Sequence, residues 1–81
     1  MKKLQLIIEK EANLWKIRIN KIGSDQNFGV RSDPLDSPKE TFSSSEEALV
    51  RGKKYLLEEL KEVDGQTVTG SDIDCRVNRD N

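Results

Sequence analysis

The residues able to do chemistry in this chain are few, and the first is a lone thiol. Cys75 stands between Asp74 and Arg76, and it is the single cysteine of the 81 residues. A cysteine nucleophile needs a neighbouring base and an electropositive setting. The chain holds no histidine, so the commonest general base and metal ligand is missing. Zinc needs clustered Cys and His, which one cysteine does not supply. Cys75 instead continues an apolar alternation with Ile73 and Val77, and it reads as an inert strand residue. Asp72 and Asp74, on one strand face about 7 Å apart, lack the glycine-centred loop that calcium favours. They read as a solvated strand face. No glycine-rich phosphate-binding motif occurs. The serines Ser43 to Ser45 offer helix N–H groups to an anion, but Glu46 and Glu47 already fill that role. The sequence therefore predicts no catalytic, cofactor or metal residues, and a chain that is not an enzyme.

Binding is the better supplied chemistry. Lys16 and Arg18 alternate on the non-core face of a strand, with Lys21 and Arg31 expected nearby. Such cations could contact phosphates. Against nucleic acid stand a net charge of −1 and the lack of an aromatic residue on that face for base stacking. The same face carries Ile7, Leu14 and Ile22. Aliphatic residues among Gln5, Glu9, Lys16 and Arg18 suggest an apolar centre with a charged rim, the anatomy of a protein contact. Ile7, Leu14, Lys16, Arg18, Ile22 and Arg31 are the candidate partner-binding residues. The partner is another protein or a second copy as a homodimer, with nucleic acid the alternative. Glu59 falls inside the apolar arc of the predicted helix. It is expected either at the rim in water or against a basic strand residue or partner.

These residues must be positioned by a small set of elements. Leu4, Leu6 and Ile8, then Trp15, Ile17 and Ile19, alternate with more polar neighbours, the period of a half-buried strand. Opposing Ile8 with Trp15 puts all six on one face of a hairpin, with Glu11-Ala12 at its tip or a longer loop over residues 10–13. A turn at Gly23 to Asn27 precedes a short third strand at Phe28 to Arg31. Pro34 and Pro38 then mark a loop of about ten residues. Ser43-Ser44-Ser45-Glu46-Glu47 holds two overlapping capping boxes, and Ser44 is the expected cap of a helix over Ser44 to Val63. Ala48, Leu49, Gly52, Tyr55, Leu56, Leu60 and Val63 form its apolar arc. Gly52 lies inside that arc, where close approach to the sheet near Trp15 explains a glycine. Asp64-Gly65 ends the helix, with Gly65 left-handed. Ile73, Cys75 and Val77 outline a fourth strand.

Length and composition agree with one domain spanning residues 1–78 and a frayed end at 79–81. A single core of this size buries roughly 60–65 % of the unfolded surface. Apolar residues are 33 % and charged residues 36 %, so the patterning rather than the amount of apolar surface argues for a fold. Charge is segregated. Residues 1–31 hold seven Lys/Arg against three acids, and residues 32–81 hold seven against twelve. Such asymmetry can orient a partner. With no disulfide framework, no signal-peptide pattern and no membrane-length apolar run, a cytoplasmic protein without membrane contact is expected.

The phrase Leu14-Trp15-x-Ile17-x-Ile19, followed by Phe42-x-Ser44-x-x-Glu47-Ala48 and a helix, resembles small uncharacterised bacterial proteins of strand–strand–strand–helix type. The resemblance covers residues 4–63. More faintly, the order of elements is similar to HicB-type antitoxin domains, which implies a regulatory role. Pro34 to Pro38 replaces the glycine-rich phrase of that family, so no functional residue is carried over. The expected fold is α+β: a three-stranded antiparallel sheet with one helix packed on one face, with or without a fourth strand after the helix. The expected function is that of a non-enzymatic interaction or regulatory module.

Overall fold

The alternation of Leu4, Leu6 and Ile8 with Trp15, Ile17 and Ile19 builds the centre of the sheet. In the computed structural model, which describes residues 3–25 and 29–79, β1 (Lys3–Glu11) and β2 (Leu14–Asp25) form an antiparallel hairpin. All six apolar residues are buried on one face. The register differs from the expected one by two residues: Ile8 faces Ile17, Leu6 faces Ile19, and Trp15 faces Lys10. A shift of two preserves the face, because side chains alternate with period two. Its cause is the turn, which is the two residues Ala12-Asn13 rather than Glu11-Ala12. Ala12 takes a positive φ of 59°, a conformation that glycine or asparagine adopts more readily. The ammonium of Lys10 sits 5.9 Å from the centre of the Trp15 ring.

Strand β3 (Gly29–Leu35) continues the meander against β2 and includes Pro34, which tolerates this place because β3 is an outer strand. The proline loop therefore begins only at Asp36. Gly23 to Asp25, expected in a turn, instead extend β2; Gln26 and Asn27 of that turn and Phe28 of the expected third strand lie outside the described residues, as do residues 80–81 of the expected frayed end. After the loop, β4 (Thr41–Phe42) returns to pair with Trp15 and Lys16 of β2.

Ser44 caps α1 (Ser45–Lys54), its hydroxyl accepting a 3.2 Å hydrogen bond from the Glu47 amide. Ser43 and Ser44 both donate to the Glu47 carboxylate, at 2.9 and 3.2 Å. The last stretch, Tyr55–Leu60, winds as a π-helix, closed by Lys61 N–H donating to the Leu56 carbonyl. The apolar spacing explains the widening. Ala48, Gly52, Leu56 and Leu60 recur every four residues and drift around an α-helix by about 40° per step. The i→i+5 turn takes more residues per revolution, so Leu60 stays near the face of fully buried Leu56. Gly52 is where the helix meets the sheet, over Leu6 rather than Trp15: a Cβ there would lie 2.5 Å from Leu6 Cδ1.

The helix ends at Leu60, short of Val63. Asp64 and Gly65, at φ 52° and 81°, instead join a small hairpin of β5 (Glu62–Val63) and β6 (Gln66–Thr67). Paired positive φ values at Asp-Gly are the mark of a tight hairpin. Val68 follows and enters the core. A 3₁₀ turn at Gly70–Asp72 then leads into β7 (Ile73–Asn78).

Strand β7 pairs parallel with β1. The class is α+β as expected, but the sheet is mixed and five-stranded, not antiparallel and three-stranded: β3-β2-β1-β7, with β4 also on β2. The helix carries the chain across one face before β7 returns, which is the long crossover that a parallel pair requires. Among the described residues no helix is long and apolar enough to cross a membrane.

Candidate functional site

The sheet face opposite the helix carries most of the candidate residues. The core draws on the other face: Leu4, Leu6, Ile8, Trp15, Ile17 and Ile19 pack with Ala48, Leu56 and Val68. The residues between them, Gln5, Ile7 and Glu9 on β1 and Leu14, Lys16, Arg18, Asn20 and Ile22 on β2, point the other way.

Ile7 lies at the middle of this face but is only 8 % exposed. The reason is β7. With that strand in place β1 is internal, and Ile7 lies in register with Arg18 on one side and Arg76 on the other. Long arginine stems can cover an aliphatic neighbour while their guanidinium groups stay in water. Leu14 is 46 % exposed at one end of β2, and Ile22 is half-buried toward the other end. Eight residues of strand, about 26 Å, separate them. The three aliphatic residues therefore do not meet as the apolar centre that their alternation suggested.

The cations do come together, each beside a carboxylate. Arg18 lies 3.4 Å from Glu9, Lys16 2.7 Å from Glu11 and Arg76 3.6 Å from Asp74. The hydrogen bond that Lys16 donates to the Glu11 carboxylate raises the Lys16 pKa above its ordinary value. Arg31 is not part of this group. It faces Gly23 across the ladder, which places it on the helix side of the sheet, 3.5 Å from Asp33. Lys21 is on that side too, and its ammonium reaches Asp64 at 3.0 Å, tying β2 to the β5–β6 turn. Two depressions flank the charged rows. One, of about 340 Å³, runs under the loop before β4 and is lined by Lys16, Arg18, Ser37, Lys39 and Thr41 among others. There the Ser37 hydroxyl donates to the Ile17 carbonyl at 3.3 Å. The other, of about 520 Å³, is bounded by Glu9, Lys10, Glu11, Lys16 and Asn78.

The remaining chemical groups are accounted for singly. Asp72 and Asp74 do not share a strand face. Asp72 accepts from the Thr69 amide and hydroxyl at 2.9 and 3.0 Å, while Asp74 sits in β7. Glu59 is at the exposed rim, and its partner is Arg51 of its own helix rather than a strand cation. Arg51 grips both Glu59 oxygens and reaches Glu40 through Nε at 2.8 Å. The Arg51 hydrogen bonds hold the Glu59 carboxyl below the usual glutamate range. Cys75 is a free, exposed thiol in the middle of β7. No group of three or more His, Cys, Asp or Glu that could hold a metal occurs among the described residues.

Sequence reasoning missed Arg76 as a neighbour of Ile7. The alternation of Ile73, Cys75 and Val77 gave its face, but only the pairing of β7 with β1 gives its neighbours. No protein-family model, curated protein or solved structure matches this chain.

Proposed function

We propose that the protein is a non-enzymatic interaction module that binds another protein through the open face of its sheet. The observation that supports this reading is a sheet face opposite the helix that carries paired charges around the buried Ile7: Arg18 with Glu9, Lys16 with Glu11, Arg76 with Asp74. Fixed charges of both signs on a flat scaffold select a partner by electrostatic complementarity more than by apolar area. The same pairing weakens the case for nucleic acid. Cations already beside carboxylates must give up those partners to contact phosphates.

The test uses the exposed positions. Wild type, Arg18→Glu and Leu14→Lys are compared in affinity capture from cells that express the protein, with Val50→Lys on the outer helix surface as control. Proteins retained by wild type and by the control are expected to be lost from both face variants. Retention of the same proteins by all four chains would place the contact elsewhere.

A further inference from the structure

The two outer strands of the sheet differ in how they meet solvent. Strand β3 contains Gly29 and Pro34, and part of the β2 edge beyond it is taken by β4. Strand β7 contains neither glycine nor proline, and among the described residues it pairs on one side only, with β1. An outer strand presents every second backbone N–H and C=O to solvent, a template for another strand. Charged side chains usually blunt such an edge, because a second copy brings like charge against like charge.

In β7 the charges are arranged the other way. The segment Ile73-Asp74-Cys75-Arg76-Val77 is self-complementary about its middle residue. If a second copy lies antiparallel with Cys75 opposite Cys75, then Asp74 falls opposite Arg76 twice and Ile73 falls opposite Val77 twice. Directly opposed residues of an antiparallel pair share a face, so the parity already present in β7 decides what meets. Asp74 and Arg76 lie in register with Gln5 and Ile7 on the open face. Their intrastrand contact of 3.6 Å becomes a square of two acids and two cations. Ile73 and Val77 lie in register with Leu4 and Ile8, and both are half-buried against the core. Opposed to each other, they extend the core across the junction.

We propose that β7 is a self-association edge, through which two copies join antiparallel into one continuous sheet across a two-fold axis at Cys75. The inference goes beyond the face reading: it concerns the backbone edge of the sheet, names a second copy as the occupant, and does not use Arg18 or Leu14. A six-residue edge makes a small interface, so the dimer belongs to the weak, transient class.

Sedimentation velocity from micromolar to millimolar protein tests this with a charge swap. Wild type is expected to dimerise. Asp74→Arg sets cation against cation and Arg76→Asp sets acid against acid, so each alone loses about tenfold or more in dimer affinity. Both variants lose the intrastrand pair equally, and their circular dichroism should match wild type. An equimolar mixture of the two restores both cross-strand pairs and recovers the dimer. Adding diamide gives a second readout. It takes two electrons and two protons from facing Cys75 thiols, forming one disulfide, with a reducible dimer expected for wild type and for the mixture. A wild type that stays monomeric, single variants that still dimerise, or a mixture that does not recover would each overturn the edge. The first outcome leaves the face reading to its own test, because Arg18→Glu and Leu14→Lys do not touch β7.

Discussion

Gly52 is the residue whose side chain matters most by its absence. An alanine gains about 1 kcal/mol in helix propensity, but its methyl would lie 2.5 Å from Cδ1 of Leu6, whose side chain is fully buried and would have to shift within the core. Overpacking of this kind costs about 1–3 kcal/mol, so the clash wins. Gly52→Ala should lower the urea midpoint, and Leu6→Ala combined with it should be less destabilised than the two single changes summed. The sequence showed that Gly52 needed a reason. Its partner required the register, which a two-residue shift relocated. Glu59 carries a second residue-scale prediction. Its folded pKa lies below the unfolded one because Arg51 hydrogen-bonds the carboxylate. The stability from that difference is present above the unfolded glutamate value, about 4.3, and is lost as pH falls through the folded value. Glu59→Gln should therefore flatten the acid limb of a thermal-midpoint profile and leave its neutral-to-alkaline course unchanged in shape. An unchanged acid limb would show that the Arg51 pair contributes no pH-dependent stability. The partner was legible only as an option, since Arg51 lies eight residues away and meets Glu59 through the π turn.

Elements were more legible in their cores than in their ends. The strand and helix centres follow from periodicity, and Ser44 was identifiable as the cap because serine and Glu47 have the right spacing. Two of the ends that moved are turns. Asp64-Gly65 carries a hairpin signature, but a helix pattern running into it supports a helix stop equally well, and only the packing of Val63 and Val68 decides. At the first hairpin, Ala12 occupies a left-handed position. That conformation costs an L-residue about 1–2 kcal/mol, against about 0.5–1 kcal/mol for the greater unfolded freedom of glycine. Ala12→Gly should thus raise stability by about 0.5–1 kcal/mol in urea denaturation without altering secondary structure. A decrease would mean that the turn is not strained at this residue.

For the molecule as a whole, the strand after the helix governs the surface. Its joining β1 in parallel makes the sheet mixed, internalises Ile7, and brings Arg76 beside it. None of this follows from alternation alone, because a period-two pattern fixes a strand's faces but not its neighbours. The same pairing leaves β7 as an edge, and leaves the charged residues around Ile7 at the surface opposite the helix. We propose that this face selects a protein partner. The most direct measurement is the binding curve of the protein that wild type captures, repeated with Arg18→Glu. Affinity is expected to fall about tenfold or more, with the Val50→Lys control unchanged. Equal affinity for wild type and Arg18→Glu would contradict it.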